Sequence, residues 1–144
     1  VALGETTVSR SWPWGAAVVG DPGAAPPAPT EALVTIGTGA VVLRLRHAQD
    51  VEVVDGEASL ATATCHVRVL DRVEATGRTT LCDVVLETPS GKLSLGDGSG
   101  AVAIEVEGSP RHRLVVSAEH LRSAGLDEVW VDVVPVTQLP LSVL

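Results

Sequence analysis

The chain has 144 residues, a formal net charge of −8, and no Met, Phe or Tyr. Phosphate recognition needs clustered Lys and Arg, so this charge argues against nucleic acid and anionic membranes as partners, and an acidic surface suits a basic protein instead. No apolar run approaches the ~20 residues that cross a bilayer, the first ten residues lack a signal-peptide core, and the expectation is a cytoplasmic protein of GC-rich bacterial coding that forms one domain over 1–144.

Little order shows before residue 14. Trp14–Val19 reads as a short strand. Residues 21–30 hold four prolines and predict an extended loop within the domain. Leu33–Ile36 is a further short strand. In Val41–His47 the apolar Val41, Leu43 and Leu45 alternate with Val42, Arg44 and Arg46, which predicts a half-buried strand with an arginine face outward. Val51–Val54 leads into Asp55-Gly56, a two-residue hairpin signal. The return strand runs from Glu57 toward Leu70 with a bend. Its second half puts Ala63, Cys65, Val67 and Val69 on one face and Thr64, His66 and Arg68 on the other.

Asp71–Arg78 is polar and reads as a loop. Thr79–Glu87 is a strand with Cys82, Val84 and Leu86 inward and Asp83 and Glu87 outward. Residues 88–91 turn, Lys92–Leu95 is a short strand, and Gly96–Gly100 is a second loop. Val102, Ile104 and Val106 then alternate with Glu105 and Glu107. Gly108-Ser109-Pro110 turns into the strand Arg111–Ala118. Glu119–Gly125 has room for one helical turn closed by Gly125. Asp127–Val136 sets Val129, Val131 and Val133 against Trp130, Asp132 and Val134.

Nowhere do apolar residues keep a 3.6 period for three turns. Short strands between turn signals, about 8 to 10 of them, predict an all-β fold, a single antiparallel β-sandwich with little helix.

Chemistry is harder to find. His47, His66, His112 and His120 show no metal-ligand spacing, and outward histidines on solvated strands are the expectation. Gly96–Gly100 lacks both the GK[ST] ending of a phosphate loop and the spaced carboxylates of a calcium loop. Cys65 and Cys82 have no CxxC spacing. Inward on neighbouring strands, they are buried free thiols or, as diagonal neighbours, a disulfide. Cys65 and His66 are adjacent in a strand and point to opposite faces, so they form no dyad. No catalytic set, metal site or cofactor motif emerges. Arg44, Arg46, Arg68 and His66 form an outward basic row that cross-strand carboxylates such as Glu52, Asp83 or Glu87 can pair. The only aromatics are Trp12, Trp14 and Trp130. Trp130 is either covered on a doubly buried strand or exposed and available for contact.

The segment Pro89-Ser90-Gly91-Lys92-Leu93-Ser94-Leu95, a variable Gly-rich loop, Arg111–Ala118 and Asp127–Pro135, in that order, resembles the family of competence protein J. These are small bacterial inhibitors of a nuclease that acts in DNA uptake. The resemblance covers roughly residues 60–136. An aromatic-rich opening strand is replaced here by Trp12-Pro13-Trp14 and the Pro-rich loop. The resemblance implies a non-catalytic protein that binds another protein, a nuclease or toxin. On the charge argument, Asp83, Glu87, Glu105, Glu107 and Trp130 are the expected partner-binding residues, the carboxylates occluding a basic cleft. The rival expectation is a small-molecule or carbohydrate module stacking its ligand on Trp12, Trp14 or Trp130.

Overall fold

In a computed structural model, residues 2–46, 51–97, 100–107, 109–122 and 124–136 are described, with 2, 51, 52, 54, 59 and 100–107 described by their backbone alone. Twelve strands follow one another: β1 (Ala2–Arg10), β2 (Ala16–Gly20), β3 (Val34–Ile36), β4 (Ala40–Arg44), β5 (Val51–Val54), β6 (Glu57–Leu60), β7 (Ala63–Leu70), β8 (Thr79–Glu87), β9 (Lys92–Asp97), β10 (Gly100–Glu107), β11 (Arg111–Ala118) and β12 (Glu128–Pro135). The first sheet has the order β1-β7-β12-β11-β8 and the second β10-β9-β2-β4-β3; β5 and β6 form a separate two-stranded ribbon. The all-β sandwich is as expected.

The inner faces follow from period-two alternation. Cys65, Val67, Val129, Val131, Val133, Leu114, Val116 and Leu86 of the first sheet meet Ala17, Val19, Val41, Leu43, Leu93 and Leu95 of the second. With no Phe or Tyr, the core is built from branched aliphatics plus one indole. Trp12 is fully buried and donates its Nε1–H to the Ala63 carbonyl at 3.0 Å. It thus pins the β1–β2 connection to the start of β7.

Several expectations need correction. β7 and β12 pair in parallel, the one parallel pair among the named strands. They are not consecutive, so no crossover helix is needed between them. β1 is a full edge strand paired with β7. The return from Asp55-Gly56 is two strands broken at residues 61–62, and residues 96 and 97 belong to β9. Residues 119–125 contain no helical turn among the described residues. Gly125 instead lies against the Leu45 carbonyl at φ 137°, where a Cβ would overlap it. His47 lies outside the described residues. His112 does not face outward: it is fully buried on the inner face of β11.

The strand order also separates Cys65 from Cys82. β12 and β11 lie between β7 and β8, a separation of roughly 14 Å at the usual strand spacing. Both cysteines are free.

Candidate functional site

The outer face of the first sheet carries a polar array whose geometry is set by register. Trp130 stands opposite His66 and Asp132 opposite Arg68 in the parallel β12–β7 pair. Their side chains therefore meet directly. The His66 and Trp130 rings stack at 4.8 Å with an interplanar angle of 16°. The Arg78 guanidinium covers Trp130 at 4.5 Å from its centroid. Trp130 is thus half-buried in the array, between a histidine and an arginine. Neither of the two expected environments describes it fully.

Hydrogen bonds fix the members. His66 Nε2 meets Glu128 Oε2 at 2.7 Å, and Thr7 Oγ1 lies 3.1 Å from His66 Nδ1. Arg68 grips the buried Asp132 with two bonds of 2.9 Å each. This pairing holds the Arg68 guanidinium above its ordinary pKa. Arg78 Nε donates to Ser117 Oγ at 3.1 Å. One Arg78 terminal nitrogen is buried without a hydrogen-bond partner and faces Asp132 at 4.0 Å. Beside it, residues 73–78 overhang Thr80, Asp83, Val115, Ser117 and Asp132 around a half-open cleft of about 420 Å³.

The predicted carboxylates are divided. Asp83 and Glu87 sit exposed on β8, an edge strand of the first sheet. Asp83 accepts a fork of 2.8 and 2.6 Å from Arg113, and that fork holds its carboxyl below the ordinary value. Glu87 meets Arg111 at 3.3 Å. Glu105 and Glu107 fall on β10 of the second sheet, and their side chains lie outside the described residues. Contacts between the sheets put Glu87 beside Thr38 of the β3–β4 turn, and Arg10 beside Asp97 at the end of β9. The β8 and β10 carboxylates therefore belong to opposite edges of the sandwich. The expected basic row is divided too, because Arg44 and Arg46 belong to β4 and its extension while His66 and Arg68 belong to β7.

The other two tryptophans also part ways. Trp12 is buried in the core and offers no stacking platform. Trp14 is 79% exposed at φ 60°, a backbone region costly for a bulky residue. It lines a second half-open cleft of about 550 Å³ with Pro29, Thr30, Thr35 and Arg44. Sequence reasoning missed Arg78, Arg113, Ser117 and Asp132 as members of the outer array. The outward strand positions of Arg113, Ser117 and Asp132 were readable but their partner strands were not, and Arg78 lies in the loop before β8, where period two says nothing. Among the described residues no three His, Cys, Asp or Glu side chains gather as a metal ion requires. No helix is long and apolar enough to cross a membrane among the described residues.

No sequence family matches the chain, and no curated protein matches it in sequence. Its fold is that of a solved protein, ComJ from Bacillus subtilis, an inhibitor of the DNA-degrading activity of NucA. That likeness has a TM-score of 0.60 at 11% identity and covers 94% of this chain and 98% of ComJ. A second solved structure, the product of crocagin biosynthetic gene J, aligns with a TM-score of 0.48 at 14% identity over 91% of this chain and 95% of that one.

Proposed function

We propose that the protein acts without chemistry of its own, by binding another protein, as an inhibitor or immunity factor for a basic nuclease or toxin in the bacterial cytoplasm. The observation that carries this reading is a fold shared, over nearly the whole chain, with an inhibitor of a DNA-degrading activity, on a chain whose formal charge is −8. Asp83, Glu87 and Trp130 are the contact residues on the first sheet, and Glu105 and Glu107 those on the second. Among the described residues, Asp83 pairs with the partly exposed Arg113 and Glu87 with the exposed Arg111. Such pairs are worth about 0–1 kcal/mol, so a partner's lysines and arginines exchange for them at little cost. The test is affinity against ionic strength for the partner that co-purifies with the chain. Binding should weaken steeply with salt and weaken further in D83N/E87Q; a complex indifferent to both would sink electrostatic occlusion.

One observation favours a second reading, a small-molecule or carbohydrate-binding module. Trp14, exposed at the mouth of its cleft with Thr30, Thr35 and Arg44, has the flat apolar face and polar surround that a sugar ring takes. Titration with monosaccharides, read by tryptophan emission, separates the two. A saturable shift abolished by Trp14→Ala supports the module, and a flat titration removes it.

A further inference from the structure

The β5–β6 ribbon belongs to neither sheet. Its four cross-strand pairs run from Val51↔Leu60 to Val54↔Glu57, and among the described residues the two strands pair as a sheet of two. Asp55 at φ 52° and Gly56 at φ 81° make the tight turn at its tip. A two-stranded ribbon in water is marginally stable unless something packs on it. Here the described apolar side chains of one face are open to solvent. Val53 pairs with Ala58 and Leu60 lies two positions further, so these three share one face. Val53 is 72% exposed and Leu60 57%, among the most exposed large apolar side chains described.

Charge gives the ribbon a second character. Residues 51–60 contain Glu52, Asp55 and Glu57 and no Lys, Arg or His. Asp55 and Glu57 are exposed at the tip and on the return strand. Asp83 and Glu87 of β8, by contrast, carry arginine partners. The ribbon is therefore a two-stranded element with an exposed apolar strip and the exposed acids Asp55 and Glu57 at and beside its turn. An apolar centre with a charged rim is the usual anatomy of a protein contact.

We propose that the β5–β6 ribbon is the docking arm of this protein, inserting Val53, Ala58 and Leu60 into an apolar groove rimmed by Lys and Arg on a basic protein partner. This deepens the protein-binding reading above and rests on it. The apolar strip supplies the buried centre, and Asp55 and Glu57 pair with the rim and set its register. The Arg-paired carboxylates of β8 then contribute at the periphery.

The experiment places a photo-crosslinking benzophenone residue at Val53, at Leu60 or, on the outer face of the first sheet, at Arg113, in the full chain in its own cells, and identifies adducts by mass spectrometry. The expected result is one adduct, with a protein of net positive charge, formed from Val53 and Leu60 at about ten times the yield from Arg113 and reduced about tenfold by D55N/E57Q. Asparagine suits the turn position of Asp55, so this variant keeps the ribbon; an unchanged melting curve checks that it does. Adducts confined to Arg113, or equal from all three positions, overturn the docking arm and leave the protein-binding reading standing. Adducts from none of them, or only with acidic proteins, overturn both.

Discussion

His112 is an ionisable side chain buried where the fold favours its neutral form. The Thr88 hydroxyl donates to the Ser109 carbonyl at 2.9 Å, so its oxygen accepts from His112 Nδ1 at 2.8 Å. That leaves Nε2 buried as a bare acceptor. Burial pushes the imidazole below its ordinary 6.5. The unfolded chain therefore takes up this proton first as pH falls. Stability from this site is complete above pH 6.5 and is lost as pH drops toward the depressed folded value. Thermal melts should show a midpoint that falls as the pH drops below 6.5, with a flatter slope in His112→Asn; equal slopes would refute the assignment. The cysteines behave as burial dictates. Desolvation pushes the Cys65 thiol up to about 12 and the Cys82 thiol up to about 11, so both are protonated and shielded at neutral pH. A thiol-reactive chromogen should label neither in the folded protein and both after denaturation. Trp12 is the largest fully buried side chain among the described residues. Trp12→Phe strands the Ala63 carbonyl and should cost about 1–3 kcal/mol, and Trp12→Ala about 3–5 kcal/mol, in urea unfolding.

Elements depend on where backbones touch. Gly125 and Gly77 both hold positive φ, but only Gly125 is crowded: a Cβ there would overlap Leu45, whereas nothing lies within 4 Å of one at Gly77. The crowding comes from Arg44 and Leu126, which bond across the end of β4 and the approach to β12. Gly77→Ala should cost about 1 kcal/mol from the backbone alone. Gly125→Ala should cost about 2 kcal/mol or more because the two strand ends must part. Chemical denaturation of both variants side by side decides whether contact or conformation dominates. The same distinction explains what the sequence made legible. β7 and β12 were readable because inward apolar residues alternate with His66 and Arg68 or with Trp130 and Asp132, and β8 and β11 because Val- and Leu-rich runs lie between turn signals; both are properties of one strand. β1 was not, since Leu3 and Val8 are its only large apolar residues between Glu5, Thr6, Thr7 and Ser9; pairing with β7 makes it a strand. Period two assigns a residue to a face and says nothing about which strand lies beside it. For that reason the Cys65–Cys82 separation, the division of Arg44 from Arg68, and the Arg68–Asp132 and His66–Trp130 partnerships were all invisible. The Asp55-Gly56 ribbon was readable because its turn chemistry is local; its independence from both sheets was not.

At the scale of the whole molecule, eighteen acids against ten bases leave a self-repelling surface. Raising salt from about 10 to 150 mM shortens the screening length from about 30 to 8 Å, which damps repulsion across the molecule more than ion pairs in contact. The melting temperature should therefore rise by about 2–4 °C; a fall would mean that paired arginines and carboxylates dominate stability. The position of β12 has a consequence for how the molecule comes into being. It is the last named strand in chain order and the third of five in its sheet, with β7 on one side and β11 on the other. Until it leaves the ribosome, the first sheet exists as two unconnected pairs, β1–β7 and β11–β8, each with an open inner edge. The chain cannot assemble this layer progressively as it is translated. The other four strands of this sheet must wait for the keystone, and any nascent chain stalled before residue 128 presents two sticky edges to its neighbours.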